Sequence, residues 1–209
     1  MENQIKNIIF DLGGVILNID YELTTKAFVE LGLENFREVY SQKKQQRFFD
    51  DFEKGKLTRT EFFVELSNHL PEGITHEQME NAWNAMLMYI PSDRINWLKK
   101  IGSRYRIFLL SNTNEIHIQA FRNILQEDFG KDILEEIFEK CYYSSEIGMR
   151  KPEKEIFDRV TNENNLKPSE TFFIDDSVQH VEGAISAGLN AELLTKGSVV
   201  EEQFSYLLD

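Results

Sequence analysis

The sequence has little cysteine, little proline and no excess of basic residues. Its 209 residues include one cysteine, Cys141, so the chain can form neither an internal disulfide nor a cysteine-based zinc site. Lys and Arg total 23 against 36 Asp and Glu, which gives a formal net charge of -13. Nucleic acids and anionic membranes bind basic surfaces, so we expect neither as a partner.

Long apolar runs are also absent. The apolar stretch of residues 107–110 is far too short to span a bilayer. Residues 1–6 contain no apolar run of the kind that signal peptides have. We therefore expect a soluble protein of a reducing compartment, most simply the cytoplasm. The sequence leaves the oligomeric state open.

The remaining composition is that of an ordinary globular protein. Hydrophobic residues make up 41% and charged residues 28% of the chain, and the 16 Phe residues give a core large apolar side chains to bury. Four prolines and 11 glycines are too few for a collagen-like chain. The length fits a core domain that carries one inserted or appended subdomain.

Short apolar runs alternate with helical patterns along most of the chain. Residues 8–10 form a predicted buried strand that ends at Asp11 and is followed by the glycine turn of Gly13 and Gly14. Further strands are predicted at residues 105–110, 141–143, 171–174 and 191–194, and helices at residues 95–101, 116–125, 153–161 and 178–187. This alternation predicts an α/β fold, a parallel sheet with helices on both faces.

The stretch between the first predicted strand and Pro91 has a different pattern. It is helical in period, and Thr58 with Glu61, like Thr75 with Gln78, has the form of a capping box. Its aromatic cluster is interpreted as the core of a small helical unit, not a ligand site; the cluster comprises Phe48, Phe49, Phe52, Phe62 and Phe63. We predict a discontinuous core of residues 1–16 and 90–209, and an inserted helical domain of residues 17–89.

Polar residues follow three of the predicted strands. They are Asp11, the pair Ser111 and Asn112, and the pair Asp175 and Asp176. Ligands of open parallel sheets bind outside the carboxyl ends of the strands, so these side chains are predicted to share one crevice. Lys151 precedes a proline and a predicted helix and could face the same crevice.

This combination of residue types suits phosphoryl transfer. Carboxylates hold a hard divalent ion such as Mg²⁺, which bridges to phosphate oxygens. A further carboxylate can attack phosphorus, while hydroxyl, amide and lysine groups hold the other phosphate oxygens. Gly13 and Gly14 would let the backbone approach the phosphoryl group closely.

Four ordered segments carry a resemblance to a known family. They resemble the motifs of the haloacid dehalogenase-like hydrolase superfamily and span residues 8–188; the segments are residues 10–16, 110–112, 151–157 and 173–177. The chain is most similar to the branch that contains alpha-glucose-1-phosphate phosphatase. The resemblance implies a Rossmann-like core, with residues 21–89 as the helical cap that this superfamily inserts after its first motif.

The resemblance also implies roles for the acidic residues. Asp11 matches the nucleophile, which also contacts Mg²⁺, and Gly13 matches a position whose carbonyl binds the metal. Asp176 matches a direct metal ligand. Asp175 matches a position that is often glycine or a second acid, and it is a further candidate metal ligand.

The remaining motif residues match phosphate-binding positions. Ser111 matches the phosphate-binding hydroxyl, Asn112 adjoins it, and Lys151 matches the lysine that pairs with both nucleophile and phosphate. The implied activity is Mg²⁺-dependent hydrolysis of a small phosphorylated metabolite, a sugar phosphate above all, through an aspartyl-phosphate.

Two positions depart from the family pattern. Many family phosphatases have a second Asp where this chain has Gly13; it protonates the leaving group and then activates water. We hypothesise that Asp20 substitutes for it. His180 stands where the family more often has Asp or Asn, and it could orient a metal-bound water. His117 has no partner pattern and is interpreted as a surface or capping residue.

Two alternative functions stay open at the level of sequence. A 2-haloacid dehalogenase would use Asp11 to attack carbon and would need no metal, which leaves the acid pair Asp175 and Asp176 without a purpose. A non-catalytic protein that binds a phosphorylated ligand would be compatible with Gly13. It would have no need for both Asp11 and Lys151.

Overall fold

The computed structural model describes residues 4–40 and 46–209 of the chain. Its centre is a five-stranded sheet of order β3-β2-β1-β4-β5, in which all four strand pairs are parallel. The strands are β1 (Asn7–Phe10), β2 (Arg106–Ser111), β3 (Lys140–Tyr143), β4 (Thr171–Asp175) and β5 (Asn190–Leu193). The predicted Rossmann-like α/β fold is confirmed.

The central strand β1 is covered on both faces. Ile8, Ile9 and Phe10 are all fully buried, and neighbouring side chains of a strand point to opposite faces. Ile8 and Phe10 accordingly belong to one apolar cluster and Ile9 to another. Continuous apolar runs are typical of parallel strands between two helical layers, so the sequence pattern reflects this double burial.

Helices supply both layers and fill the segment between β1 and β2. In the described ranges they are α1 (Tyr21–Glu30), α2 (Phe36–Val39), α3 (Arg47–Glu53), α4 (Arg59–Ser67), α5 (His76–Asn84), α6 (Ser92–Gly102), α7 (Glu115–Phe129), α8 (Ile133–Ile137), α9 (Ser144–Ile147), α10 (Lys154–Glu163), α11 (Val178–Ser186) and α12 (Val200–Gln203). Short 3-10 turns lie at Pro168–Glu170 and Ser205–Leu208. The short helices α8, α9 and α12 were not predicted, because a single turn shows no periodicity.

The helices α1 to α5 share an apolar cluster of their own. Both predicted capping boxes are present, since the Thr58 and Thr75 side chains accept hydrogen bonds from the backbone N–H groups three residues on. Most of the predicted aromatic cluster is buried here, with the rings of Phe52 and Phe62 stacked at 4.1 Å between centroids. Phe48 packs at its edge, partly exposed.

The chain enters and leaves this helical segment at one place. The Asn18 N–H donates to the Tyr89 carbonyl at 3.0 Å, and the Met88 N–H donates to the Asn18 carbonyl at 3.1 Å. An antiparallel bridge joins Ile19 to Leu87. These contacts lie near the predicted boundaries at residues 17 and 89, and the division into two domains remains a prediction.

No helix in residues 4–40 and 46–209 is long and apolar enough to cross a membrane. Cys141, in the strand predicted at residues 141–143, lies in β3 and is partly buried. Burial raises the pKa of its thiol to about 12, and nearby Glu135 adds to the shift. The thiol therefore stays protonated at neutral pH and is a poor nucleophile.

The helical segment offers a clear test of its core. Phe62 is fully buried, and we expect Phe62→Ala to lower the free energy of unfolding by about 3–5 kcal/mol, because the cavity adds to the lost burial. Val64 on the same helix is 53% exposed, and Val64→Ala should change the free energy of unfolding by less than about 0.5 kcal/mol. Urea denaturation measures both. Equal effects would contradict the assignment of Phe62 to a packed core.

Candidate active site

The polar residues predicted to share a crevice lie together at one edge of the sheet. Asp11 directly follows β1, while Ser111 ends β2 and Asp175 ends β4. Because β1 lies between β2 and β4, these three positions are neighbours. The Asp11 N–H continues the ladder by donating to the Ile174 carbonyl at 2.9 Å, which fixes where its side chain begins.

Lys151 is fully buried among these strand ends. Its Nζ donates to Asp11 Oδ1 at 2.6 Å, to Asp175 Oδ2 at 2.7 Å and to the Leu110 carbonyl at 2.9 Å. These three bonds use every proton of the ammonium group. Burial acts to lower the pKa of Lys151, but the Asp11 and Asp175 charges outweigh it and raise that pKa, so the lysine stays charged.

The two carboxylates that Lys151 joins differ in their electrostatics. Burial, helped by the Asp175 charge, raises the pKa of Asp11 despite the opposing effect of Lys151. Burial also acts to raise the pKa of Asp175, but Lys151 and His180 hold it below its ordinary value. Asp175 is therefore the more firmly ionised of the two.

Asp11, Asp175 and Asp176 form the candidate metal site. Each offers a carboxylate oxygen, and these oxygens lie within 4.8 Å of one another. Asp175 is already engaged, because Oδ1 accepts from the Ser177 N–H at 2.8 Å while Oδ2 accepts from Lys151. Both oxygens of Asp175 therefore already accept hydrogen bonds from the protein.

The glycine turn after Asp11 is shaped by Asp176. A Cβ at Gly14 would lie 2.5 Å from Asp176 Oδ2, and the φ angle of Gly14 is 81°. A Cβ at Gly13 would meet Ile19 Cδ1 at 3.3 Å, a far milder contact. The close approach thus requires glycine at position 14, whereas position 13 almost admits a side chain.

Asn112 holds the backbone of Lys151. Its Nδ2 donates to the Lys151 carbonyl at 2.9 Å, and its Oδ1 accepts from the Lys151 N–H at 2.8 Å. The next loop residue, Thr113, is fixed by the Ser144 hydroxyl, which accepts from its N–H and donates to its carbonyl, both at 2.9 Å. The loops after β2 and β3 are thereby joined to the loop that carries Lys151.

His180 is buried beside this arrangement. Its Nδ1 lies 3.0 Å from Asp175 Oδ1, and its Nε2 lies 3.5 Å from Asn112 Nδ2. The partner of the imidazole is therefore the Asp175 carboxylate, which it helps to keep ionised.

A cavity of about 90 Å³ opens over these residues. Part of its wall is formed by Asp11, Ser111, Lys151 and Asp176, all predicted from the sequence. His117 also lines it, as do residues that the sequence analysis did not single out, which include Tyr21, Tyr40, Glu53, Met86, Leu87 and Arg150.

Two sequence-based interpretations were wrong. Asp20 is the N-cap of α1, where its Oδ1 accepts from the Glu22 N–H at 2.9 Å, and it is not among the described residues that line the cavity. His117 is buried, with its ring stacked on Trp83 at 4.7 Å. Burial lowers the pKa of His117 to about 4, so it stays neutral and joins α7 to α5 through the Trp83 carbonyl.

Comparison with known proteins identifies the class to which this fold and site belong. The chain belongs to the haloacid dehalogenase-like hydrolase family, whose model matches residues 5–188.

A curated relative and two solved structures are similar to this chain over most of its length. A D-ribitol-5-phosphate phosphatase of Bacteroides thetaiotaomicron is 32% identical over 177 residues, 85% of each protein. A family enzyme of the same species, crystallised as an aspartate-to-alanine mutant with magnesium and inorganic phosphate, has a TM-score of 0.88 and 35% identity over 96% of this chain and 98% of its own. A Porphyromonas gingivalis hydrolase described as HAD-like has a TM-score of 0.86 and 30% identity over 98% of each chain.

The family match confirms the predicted superfamily and identifies the chain as a hydrolase. The phosphatase relative supports phosphatase activity within that class. The expected Mg²⁺ cofactor agrees with the acidic cluster at the sheet edge and with the magnesium complex of the similar enzyme. The proposed relation to the alpha-glucose-1-phosphate phosphatase branch stays a prediction.

Proposed function

We propose that this chain is a Mg²⁺-dependent phosphatase that hydrolyses a small sugar or polyol phosphate through an aspartyl-phosphate. The observation that carries the proposal is the position of Asp11, at the carboxyl end of the central strand and bonded to a buried lysine. Two similar proteins support it: one is a phosphatase of a sugar-alcohol phosphate, and the other was crystallised with magnesium and inorganic phosphate.

The residues at the sheet edge fit a magnesium ion. Mg²⁺ prefers oxygen ligands and commonly takes one or two carboxylates, which Asp11 and Asp176 would offer here. The resemblance to the family motif would add the Gly13 carbonyl as a third protein oxygen. Asp175 would stay behind them because Lys151 and Ser177 occupy its oxygens. When bound, the ion supplies positive charge that neutralises phosphate oxygens.

The first chemical step belongs to Asp11. Lys151 holds its Oδ1, which fixes the plane of the carboxylate. A carboxylate oxygen forms a bond to phosphorus, the bond from phosphorus to the ester oxygen breaks, and the leaving alcohol takes up a proton. Water then attacks the phosphorus of the aspartyl-phosphate, which returns the Asp11 carboxylate and releases inorganic phosphate.

Ser111 and Lys151 stabilise the phosphate during both steps. The Ser111 hydroxyl can donate to a phosphate oxygen, and the Lys151 ammonium compensates negative charge between nucleophile and phosphate. Asn112 is best assigned as a positioning residue, since its side-chain amide holds the Lys151 backbone. His180 keeps Asp175 ionised and so holds the far side of the lysine.

The acidic cluster favours this proposal over the two alternatives. Attack on the carbon of a 2-haloacid needs no cation, so it would leave Asp176 beside two other acids without a role. A protein that only binds a phosphorylated ligand would bury Asp11 and Lys151 at a cost in free energy and gain no chemistry from them.

Phosphate release that requires magnesium tests the proposed function. We expect EDTA-treated protein to release no phosphate from D-ribitol 5-phosphate or para-nitrophenyl phosphate, and added Mg²⁺ to restore release. Asp176→Asn should raise the Mg²⁺ concentration for half-maximal rate by about 10-fold or more, because one charged ligand is lost. The matched control is Asp128→Asn, an exposed residue of α7, which should leave this concentration unchanged. Full activity in EDTA would contradict the proposal.

Gly13 predicts a strong dependence on the leaving group. Proton donation by a positioned acid is worth about 10²–10⁴-fold in rate, and position 13 supplies none. We therefore expect kcat to rise as the pKa of the leaving alcohol falls, with para-nitrophenyl phosphate at least about 10²-fold faster than an alkyl phosphate. A sugar 1-phosphate, whose anomeric hydroxyl leaves relatively well, should likewise exceed the corresponding 6-phosphate. Equal rates across the series would show that another residue donates the proton.

A further inference from the structure

An ion pair forms part of the wall of the cavity that Asp11 also lines. Glu53 ends α3, and Arg150 lies in the loop before α10; both line the cavity. Arg150 Nη2 lies 3.0 Å from a Glu53 carboxylate oxygen, and both side chains are largely buried. Arg150 Nη1 binds Asp50, which is not among the described residues that line the cavity.

The chain fixes this pair relative to the reaction centre. Arg150 immediately precedes Lys151, so one loop delivers a guanidinium to the cavity wall and an ammonium to Asp11. Arg150 joins α3 to this loop through Asp50 and Glu53, and Lys54, directly after α3, pairs with Glu153, directly before α10. A substrate whose phosphate rests at Asp11 would therefore share its cavity with a preformed ion pair.

One donor of this pair is unsatisfied. Arg150 Nε is buried and has no hydrogen-bond partner in residues 4–40 and 46–209. A buried donor without an acceptor costs about 1–3 kcal/mol, so natural proteins rarely retain one without a reason. Nε is enclosed by protein, so a ligand oxygen would satisfy it only if the guanidinium turned toward the cavity.

Two tyrosines add further donors to the same wall. Burial raises the pKa of Tyr40, and the neighbouring Glu53 raises it further. The pKa of Tyr21 is also raised, by burial first and then by surrounding groups that include Asp176, Asp11 and Glu53. Both phenols therefore stay protonated, and Tyr21 lies within the influence of both the reaction centre and Glu53.

We infer that Glu53 and Arg150 bind the hydroxyl groups of the substrate's carbon chain, which makes the substrate class a phosphate monoester of a polyol or sugar. The carboxylate accepts from hydroxyls, the guanidinium donates to them, and the tyrosines supply O–H donors and ring faces. This inference rests on the proposed phosphatase activity. A site built to bond a substrate hydroxyl rejects the analogue that lacks it by as much as about 10⁴–10⁵-fold, so the pair acts as a specificity determinant.

A purely structural role makes a different prediction. If the pair only fastens α3 to the loop, removing the charge of either carboxylate partner of Arg150 should change kcat/KM by the same factor for every substrate. Asp50 and Glu53 therefore make a matched pair of variants, because both bind the same guanidinium and only Glu53 lines the cavity. Glu53→Gln and Asp50→Asn each remove one charge and keep the shape of the side chain.

The experiment compares two substrates of equal chain length in the presence of Mg²⁺. D-ribitol 5-phosphate carries a free hydroxyl on each of the four carbons that do not bear the phosphate, and pentyl phosphate carries none. We expect Glu53→Gln to lower the ratio of kcat/KM for ribitol phosphate to that for pentyl phosphate by about 10- to 100-fold, mainly through KM. Asp50→Asn should leave this ratio within about 2-fold of wild type.

Two outcomes would overturn the inference. One is an unchanged kcat/KM ratio in Glu53→Gln, and the other is an equal fall of that ratio in Glu53→Gln and in Asp50→Asn. If Glu53→Gln does not fold, as judged by circular dichroism, Tyr40→Phe decides, since it removes only a hydroxyl and should lower the same ratio. If wild type hydrolysed none of the three substrates, ribitol phosphate, pentyl phosphate and para-nitrophenyl phosphate, the proposed function itself would be contradicted.

Discussion

Replacing the proposed nucleophile is expected to abolish turnover: Asp11→Asn should lower kcat for para-nitrophenyl phosphate by about 10⁴-fold or more. The amide keeps the size of the carboxylate but is a far weaker nucleophile, so the aspartyl-phosphate cannot form. Asp11 directly follows the central strand β1 and so lies between Ser111 at the end of β2 and Asp175 at the end of β4. Steady-state phosphate release measures the effect.

Two further measurements make this result specific. Rapid acid quenching of wild type during turnover should trap phosphate covalently bound to the protein, and Asp11→Asn should trap none. Asp93→Asn, an exposed substitution in the first turn of α6, should match wild type in both assays. A residual rate in Asp11→Asn within about tenfold of wild type would mean that water attacks phosphorus directly.

The second large effect is expected when Lys151 is replaced, and it concerns both stability and activity. Lys151→Met should lower the free energy of unfolding by about 3–5 kcal/mol at pH 7, because it leaves the Asp11 and Asp175 carboxylates buried without their cation. Urea denaturation followed by circular dichroism measures the loss. The variant should also release no detectable phosphate, since Asp11 loses the group that orients it.

The pH dependence separates this cause from simple loss of packing. In wild type Lys151 and His180 hold the pKa of Asp175 low, so its stabilising contribution persists until the pH falls through that lowered pKa. Without Lys151 the buried carboxylates would have raised pKa values, and protonation would relieve them as the pH falls from 7 to 5. The loss of unfolding free energy caused by Lys151→Met should therefore be smaller at pH 5 than at pH 7. A loss that is the same at both pH values, or one no larger than that caused by the exposed substitution Lys154→Met, would contradict this explanation.

The reaction end of the site could be predicted because its residues follow strands. The carboxyl ends of neighbouring parallel strands must meet, so Asp11, Ser111 and Asp175 follow from the strand pattern alone. The capping boxes at Thr58 and Thr75 were predictable for a similar reason, since each joins residues three apart. Such contacts depend on sequence separation and not on how distant elements pack.

The other end of the site has no such local signal. Glu53 and Tyr40 line the cavity together with Arg150, which is far from both along the chain. His117 was misread because its partner, Trp83, is 34 residues away. Asp20 was misread because proximity along the chain did not reveal that its carboxylate caps α1. Adjacency to Lys151 was the one available hint for Arg150.

The single place where the helical segment joins the sheet has a consequence for how this enzyme can diversify. Because the chain leaves at Asn18 and returns beside it at Tyr89, the two ends of the segment are already closed on each other, and its length adds little entropic cost to folding the core. Asp11, Ser111 and Asp176 lie outside that segment, whereas Tyr21, Tyr40 and Glu53 lie within it. Apart from Arg150, the residues proposed to bind substrate hydroxyls are thus encoded in a separate stretch of the gene from Asp11, Ser111 and Asp176, so mutations in the helical segment can change the proposed selectivity without replacing those three residues.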